Sequence, residues 1–166
     1  MKYLIVDDTP EHLKPLAHTV REAGHAMVFA RDLGAAWGWL ERGDHFDLIA
    51  IDLALDRYIR EFEAEQAIIR EGLALRNLAD LPMSGQAFGL RLWNQRKTLR
   101  QRYCYISNHT QLWLEAADKG GDPEFGGKNL DDLFDLLVDK SSLWSKNVAD
   151  KFKKAYEVWG QEQWLV

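Results

Sequence analysis

Two adjacent carboxylates follow the first apolar run of the chain, and a third follows a later one. Asp7 and Asp8 come directly after the apolar residues 4–6, and Asp52 comes directly after the apolar run at 46–51. Three carboxylates at one place repel one another unless a cation lies among them. Oxygen ligands of this kind suit Mg²⁺. Each acid could also belong to an ordinary turn, since aspartate is common in turns and at helix starts.

A hydroxyl and a lysine follow two more apolar runs. Ser107 ends the run at 102–107, and Lys140 comes shortly after the run at 134–138. Hydroxyl and ammonium groups are good partners for phosphoryl oxygens. With an aspartate nucleophile and a metal, they form a coherent set for phosphoryl transfer. Neither residue has this meaning alone, because most lysines are simply solvated.

The apolar runs alternate with helical patterns, which indicates repeated βα units. We expect strands at 2–6, 26–30, 46–51, 102–107 and 134–138. We expect a first helix from Pro10 to Gly24 with Thr9 as its N-cap, and a second over 33–42 capped by Asp32. Two more helices are expected over 84–100 and 110–118. A last helix, after the fifth strand, would be capped by Ser141 or Ser142. This order predicts a doubly wound α/β fold with a parallel five-stranded sheet and helices on both faces. The carboxyl ends of its strands meet at one edge, where the polar residues would gather.

The bulk properties exclude several classes of protein. The 166 residues suit one domain, 1–166. A net charge of −5 argues against a nonspecific nucleic-acid partner. The single cysteine, Cys104, excludes an internal disulfide and a cysteine zinc site. No apolar run is long enough to span a membrane and no secretory signal is evident, so we expect no membrane association and a cytoplasmic location.

Five segments in the same order resemble the receiver domain of two-component response regulators. They are the Asp7-Asp8 pair, "DLIAID" ending at Asp52, "MSGQAFGL" at 83–90, "RYCYIS" ending at Ser107, and "LLVDKSS" around Lys140. The resemblance covers most of the chain. The spacing from Asp8 to Asp52 matches that of receivers, whereas the spacing from Asp52 to Ser107 is longer and indicates an insert.

The resemblance implies a flavodoxin-like (βα)5 fold and a role for each site residue. Asp52 would be the phosphoacceptor, and Ser107 and Lys140 would contact the phosphoryl group. Mg²⁺ would be held by Asp7 (through water), Asp8, Asp52 and the backbone carbonyl of Ala54. The implied partners are a histidine kinase or phosphotransfer protein and a downstream protein.

Three positions depart from the receiver pattern. Ser141 stands where a proline is usual, Asn108 where a small residue is usual, and Leu137 where an aromatic switch residue is usual. A pseudo-receiver that binds a partner without phosphorylation is therefore the alternative reading. A haloacid-dehalogenase-type phosphohydrolase ranks lower, because "DDTP" lacks the required Asp-x-Asp.

Two inserts and the tryptophans suggest binding surfaces. Residues 55–82 are expected to be a helical insert, and 119–130 a flexible loop insert. Apolar residues in the first insert recur at spacings of four and three, with Gln66 as the one polar member. This stripe packs either on its own domain or against a partner, including a second copy. The candidate interface residues are Ile59, Phe62, Ile69, Leu73, Trp113, Trp144 and Trp159. Few residues follow Trp159, so we expect a stand-alone receiver that acts by binding.

Overall fold

One parallel sheet of five strands organises the protein. The computed structural model describes residues 1–55, 57–118, 121–126 and 130–166. The strands are β1 (Lys2–Val6), β2 (Ala26–Ala30), β3 (Leu48–Asp52), β4 (Tyr103–Ser107) and β5 (Leu137–Asp139). Their order in the sheet is β2-β1-β3-β4-β5, and every neighbouring pair is parallel. This order confirms the predicted doubly wound fold.

Eight α-helices connect or flank the strands in the described part of the chain. They are α1 (Lys14–Glu22), α2 (Leu33–Glu41), α3 (Glu63–Leu75), α4 (Ser84–Asn94), α5 (Arg96–Leu99), α6 (Thr110–Ala116), α7 (Leu130–Leu136) and α8 (Val148–Gln161). Short 3₁₀ turns lie at Pro10–His12, Arg60–Phe62, Pro123–Phe125 and Lys140–Ser142. Among the described residues, no helix combines the length and the apolar character that crossing a bilayer requires.

The sheet has helices on both faces because successive side chains of a strand point in opposite directions. Tyr3 packs its ring 5.2 Å from that of Phe152 on α8. On the opposite face, the hydroxyl of Tyr105 lies so close to Gly89 of α4 that a Cβ there would collide with it. The apolar side chains between these two layers form the main core.

The helix starts follow the sequence in one case and depart from it in another. The Asp32 carboxylate accepts the Ala35 N–H at 2.7 Å and caps α2, as predicted. Thr9 does not cap a helix with its side chain. Its backbone N–H and its hydroxyl donate to Asp7 Oδ1 instead, at 2.8 and 3.3 Å. Pro10 opens a 3₁₀ turn, and α1 begins only at Lys14.

The fifth strand is shorter and later than predicted. It was expected at 134–138, but residues 130–136 form α7 and the strand covers Leu137–Asp139. A short apolar run does not distinguish a buried helix from a buried strand by periodicity alone. Leu133, Leu136 and Leu137 are buried at helical spacing, which explains the error.

The last helix also starts later than predicted. The cap expected at Ser141 or Ser142 is wrong, because α8 begins at Val148 with Asn147 as its N-cap. Trp144 precedes the helix and is 63% exposed. The remaining members of the expected helix face, Val148, Phe152, Ala155 and Trp159, are buried.

The insert at 55–82 packs on its own domain through the predicted stripe. Ile69 and Leu73 of α3 are buried against Ala87 and Leu90 of α4. Phe62 is buried too, with its ring 5.7 Å from that of Phe88. The interface prediction is therefore wrong for Phe62, Ile69 and Leu73, because other side chains of the same chain cover them. Ile59 is half-buried. Asp56, also in this insert, lies outside the described residues.

Two tryptophans and two residues of the second insert are also buried where a free surface was expected. Trp113 and Trp159 are 3% and 1% exposed, so the interface prediction is wrong for them, while Trp144 stays accessible. In the insert at 119–130, residues 119–120 and 127–129 lie outside the described residues. The Pro123–Phe125 turn is not a free loop, because Glu124 and Phe125 are buried beside α4 and β4.

Candidate functional site

The carboxyl ends of the strands bring a lysine and two buried aspartates into direct contact. Asp7 follows β1, Asp52 ends β3, and Lys140 follows β5. The Lys140 ammonium donates to Asp7 Oδ2 at 2.8 Å and to Asp52 Oδ2 at 3.0 Å. Both aspartates are almost fully buried, and the lysine side chain is only 8% exposed. Residues far apart in the sequence thus form one ion-paired cluster.

The two acids of the N-terminal pair have different surroundings. Asp7 uses Oδ1 to accept from the backbone and hydroxyl of Thr9, and Oδ2 to accept from Lys140. Asp8 is exposed; its carboxylate accepts from the Thr9 hydroxyl at 3.4 Å, and its backbone carbonyl accepts from the Arg31 guanidinium at 3.3 Å. The Asp7 carboxylate is therefore buried and held by hydrogen bonds on both oxygens, whereas the Asp8 carboxylate is accessible from solvent.

The Asp52 carboxylate is oriented by the turn that follows it. Its Oδ1 accepts the Ala54 N–H at 2.9 Å. Burial raises the pKa of this carboxyl above its ordinary value, although the Ala54 hydrogen bond and the Lys140 charge oppose the rise. Helix α4 comes so near that a Cβ at Gly85 would collide with the Asp52 carbonyl. Gly85 lies in the "MSGQAFGL" segment, but its steric role was not foreseen from the sequence.

Lys140 is held cationic by its partners. Burial alone would lower the pKa of its ammonium, but the hydrogen bond to Asp7 and the charge of Asp52 outweigh burial, so the pKa is raised. The turn that carries it is fixed by Asp139, whose Oδ1 accepts the N–H of Ser141 at 2.9 Å and its hydroxyl at 2.7 Å. Ser141, which departs from the receiver pattern, thus has a defined part in the turn.

Ser107 lies buried at the end of β4. It neighbours Asp139 in the β4–β5 register. Its hydroxyl oxygen accepts the His109 N–H at 2.9 Å, which leaves the hydroxyl proton to donate. Asn108, directly after it, is exposed. Leu137, at the position expected to carry an aromatic switch, is a buried residue of β5.

Three acidic residues lie close enough together to hold a divalent cation. One ligand oxygen from each of Asp7, Asp8 and Asp52 lies within 4.8 Å of the others. Three carboxylate oxygens, two buried and one open to solvent, are hard ligands that leave positions for water or phosphate oxygens, as Mg²⁺ requires. The residues present therefore fit the predicted metal, and the contribution of the Ala54 carbonyl stays a prediction.

Comparisons with known proteins define the fold. No protein-family model and no curated protein matches the sequence. A CheY-like response regulator receiver domain protein from Methanospirillum hungatei JF-1 superposes with a TM-score of 0.55 at 15% identity, covering 97% of each chain. TrrA from Thermotoga maritima, a response regulator in complex with Mg²⁺ and BeF, gives 0.52 at 16% identity over 93% of this chain and 97% of that one.

A third solved structure carries a modified aspartate. It is a response regulator protein from Burkholderia pseudomallei with a phosphorylated aspartic acid, a calcium ion and citrate; it gives a TM-score of 0.53 at 16% identity over 97% of this chain and 72% of that one. At such identities the likeness concerns the fold. The chain has the response-regulator receiver fold, which confirms the fold that the sequence resemblance implied.

Proposed function

We propose that this protein is a phosphoacceptor receiver of a two-component or phosphorelay system. In this proposal, Asp52 takes a phosphoryl group from a phosphohistidine of a kinase or phosphotransfer protein in the cytoplasm. Phosphorylation then changes the affinity for a downstream protein. The observation that carries the proposal is the Lys140 ammonium between Asp7 and Asp52, with the Asp8 carboxylate open beside them.

The chemistry is an in-line transfer to a carboxylate oxygen. One oxygen of Asp52 attacks phosphorus, the bond from phosphorus to the donor nitrogen breaks, and the departing imidazole keeps the electron pair. A bound Mg²⁺, held by Asp7, Asp8 and Asp52, would supply charge neutralisation. Lys140 and the Ser107 hydroxyl would donate to the phosphoryl oxygens. Slow hydrolysis would return the free carboxylate, so the protein would be a switch and not a turnover enzyme.

Intact mass spectrometry tests the proposal directly. After incubation with acetyl phosphate and Mg²⁺, we expect the mass of one added phosphoryl group. The same treatment of Asp52→Asn, or of the wild type with a chelator, should leave the mass unchanged. Asp135→Asn is a matched control, because Asp135 is an exposed aspartate outside the site; it should be labelled like the wild type. An adduct that persists in Asp52→Asn would rule out Asp52 as the acceptor.

One observation favours a pseudo-receiver as the second candidate. Lys140 already contacts both buried carboxylates, so one of their two negative charges is compensated without a metal. In that case the protein would bind its partner irrespective of phosphorylation. Calorimetric titration with Mg²⁺ distinguishes the two, because the receiver requires binding that Asp8→Asn weakens. No binding of Mg²⁺ and no adduct would favour the pseudo-receiver.

A further inference from the structure

The one polar member of the buried stripe on α3, Gln66, holds a backbone segment that lies outside the helix. Gln66 is 0% exposed. Its Oε1 accepts the Ile59 N–H at 3.0 Å, and its Nε2 donates to the Ile59 carbonyl at 2.7 Å. Burial of an amide is unfavourable unless its polar atoms are hydrogen-bonded, and here both of them are. The inserted helix therefore uses one position of its buried face to fix the chain at residue 59.

Ser84, at the start of α4, fixes the same segment from another helix. It is 1% exposed. Its N–H donates to the Leu55 carbonyl at 3.2 Å, and its hydroxyl donates to the Arg57 carbonyl at 2.5 Å. The hydroxyl oxygen also lies 3.2 Å from Gln66 Oε1, so the two buried side chains meet. Together Gln66 and Ser84 hold three carbonyl groups and one N–H of the segment 55–59.

This segment continues directly from the phosphoacceptor candidate, Asp52. We call residues 53–55 and 57–59 the acceptor loop. Its Ala54 N–H donates to Asp52 Oδ1 at 2.9 Å, and its Ala54 carbonyl is the predicted backbone ligand of the metal. One cavity of about 110 Å³ has on its wall both Asp8 and the acceptor loop, the latter through Leu55, Arg57 and Ile59. The position of the Ala54 carbonyl relative to Asp8 therefore depends on what holds the acceptor loop.

The sheet and α4 together set the position of Ser84 relative to Asp52. In the described part of the chain, the last backbone hydrogen bond between the acceptor loop and the sheet runs from the Leu53 N–H to the Ile106 carbonyl, at 3.1 Å. Beyond it, α4 packs so closely that a Cβ on Gly85 would collide with the Asp52 carbonyl, which fixes Ser84 beside the loop. Mg²⁺ demands near-octahedral ligand geometry, so a small shift of the loop is enough to weaken its binding.

We propose that Gln66 and Ser84 are positioning residues of the candidate metal and phosphoacceptor site. They hold the acceptor loop in the arrangement in which the Ala54 carbonyl, Asp52 and Asp8 bind one cation. The inserted helix then completes the site, in addition to packing on α4. The inference rests on the proposed function, because it concerns the same site, and its tests separate the two.

Calorimetric titration of the full chain with Mg²⁺ tests the positioning role. Gln66→Met and Ser84→Ala remove the polar side-chain contacts and keep most of the packing, and each should raise the Mg²⁺ dissociation constant by about tenfold. Leu73→Ala is the matched control, since Leu73 is 2% exposed on the same face of α3 but packs against Ala87 and Leu90 of α4. It should bind Mg²⁺ like the wild type, although it destabilises the fold as well. Circular dichroism checks that all variants keep the helical content of the wild type.

Hydrogen exchange of the metal-free protein provides a second readout. Exchange over residues 53–59 should be faster in Gln66→Met than in Leu73→Ala, because only the former releases the acceptor loop. With acetyl phosphate as donor, the Mg²⁺ concentration that half-saturates labelling should rise about tenfold in Gln66→Met. Partial unfolding alone would instead lower labelling at every Mg²⁺ concentration and leave the half-saturating concentration unchanged.

The proposed function and the positioning role fail in different ways. A wild type that binds no Mg²⁺ and takes no phosphoryl group would refute the proposed function, and the positioning role with it. A wild type that binds Mg²⁺, with equal dissociation constants for Gln66→Met and Leu73→Ala, would refute the positioning role alone.

Discussion

Removal of the Lys140 charge is the most direct test of the described site. Lys140 contacts Asp7 at 2.8 Å and Asp52 at 3.0 Å, and all three side chains are nearly buried. At an effective dielectric constant of about 20, each contact is worth about 5 to 6 kcal/mol before desolvation. Much of that offsets the cost of burying the lysine. Lys140→Met leaves two adjacent buried carboxylates without a counter-ion, and we expect a loss of about 3 to 5 kcal/mol in unfolding free energy at pH 7.

The pH dependence of this loss follows from the sign of the pKa shifts. Without Lys140, burial and the charge of Asp7 raise the pKa of the Asp52 carboxyl further, because the ammonium no longer opposes them. An acid whose pKa is raised by folding loses stability as the pH rises, because the native state binds its proton more tightly than the unfolded state. The deficit of Lys140→Met should therefore be largest at pH 7 and smaller near pH 5. Adding Asp52→Asn to Lys140→Met should recover part of the loss.

Urea denaturation at pH 5 and pH 7 measures this effect. Lys153→Met is the matched control, since Lys153 pairs with Glu157 at 3.7 Å on the exposed side of α8. We expect it to cost less than about 0.5 kcal/mol. A loss below about 1 kcal/mol for Lys140→Met, or an equal loss at both pH values, would refute the reasoning that a buried ion pair holds the strand ends together.

Three other predictions follow from buried polar or crowded positions. Burial raises the pKa of Glu124 from 4.5 to about 7. The unfolding free energy should therefore fall by about 3 kcal/mol as the pH rises from about 4.5 to about 7 and beyond. Urea denaturation of Glu124→Gln should show no such fall. Gln66→Ala removes the bonds that Gln66 makes to the Ile59 N–H and C=O, at 3.0 and 2.7 Å, and should cost about 1 to 3 kcal/mol by the same assay. Gly89→Ala should lower the melting temperature, because its methyl group would collide with the Tyr105 hydroxyl; Tyr105→Phe should relieve part of that effect, and additive losses would contradict the collision.

The parallel five-stranded sheet and the positions of the acids at its edge could be predicted from the sequence. Asp7 and Asp52 directly follow apolar runs, and the strands observed there end within a residue of each acid. Such placement depends on neighbours in the chain and on the rule that parallel strands end at one edge. Lys140 was placed correctly at this edge even though the fifth strand was misplaced by three residues at its start. The turn after a strand matters more for the site than the length of the strand.

The inserted segment shows where sequence periodicity stops being informative. The spacing of Phe62, Gln66, Ile69 and Leu73 correctly predicted a helix with one buried stripe. It did not reveal that this stripe is covered by α4 of the same chain, because periodicity describes one helix and not the surface that meets it.

The sequence by itself determined the fold class, the acidic pair, the acceptor candidate and the lysine, because each depends on local residue types and on the order of elements. Only the tertiary structure decided how the charges are paired and which groups are buried. The contact of Lys140 with Asp7 joins residues 133 positions apart, and the burial of Glu124 depends on Gln86, 38 positions away. Burial and charge pairing are sums over neighbours in space, so they become known only once the sheet has brought the strand ends together.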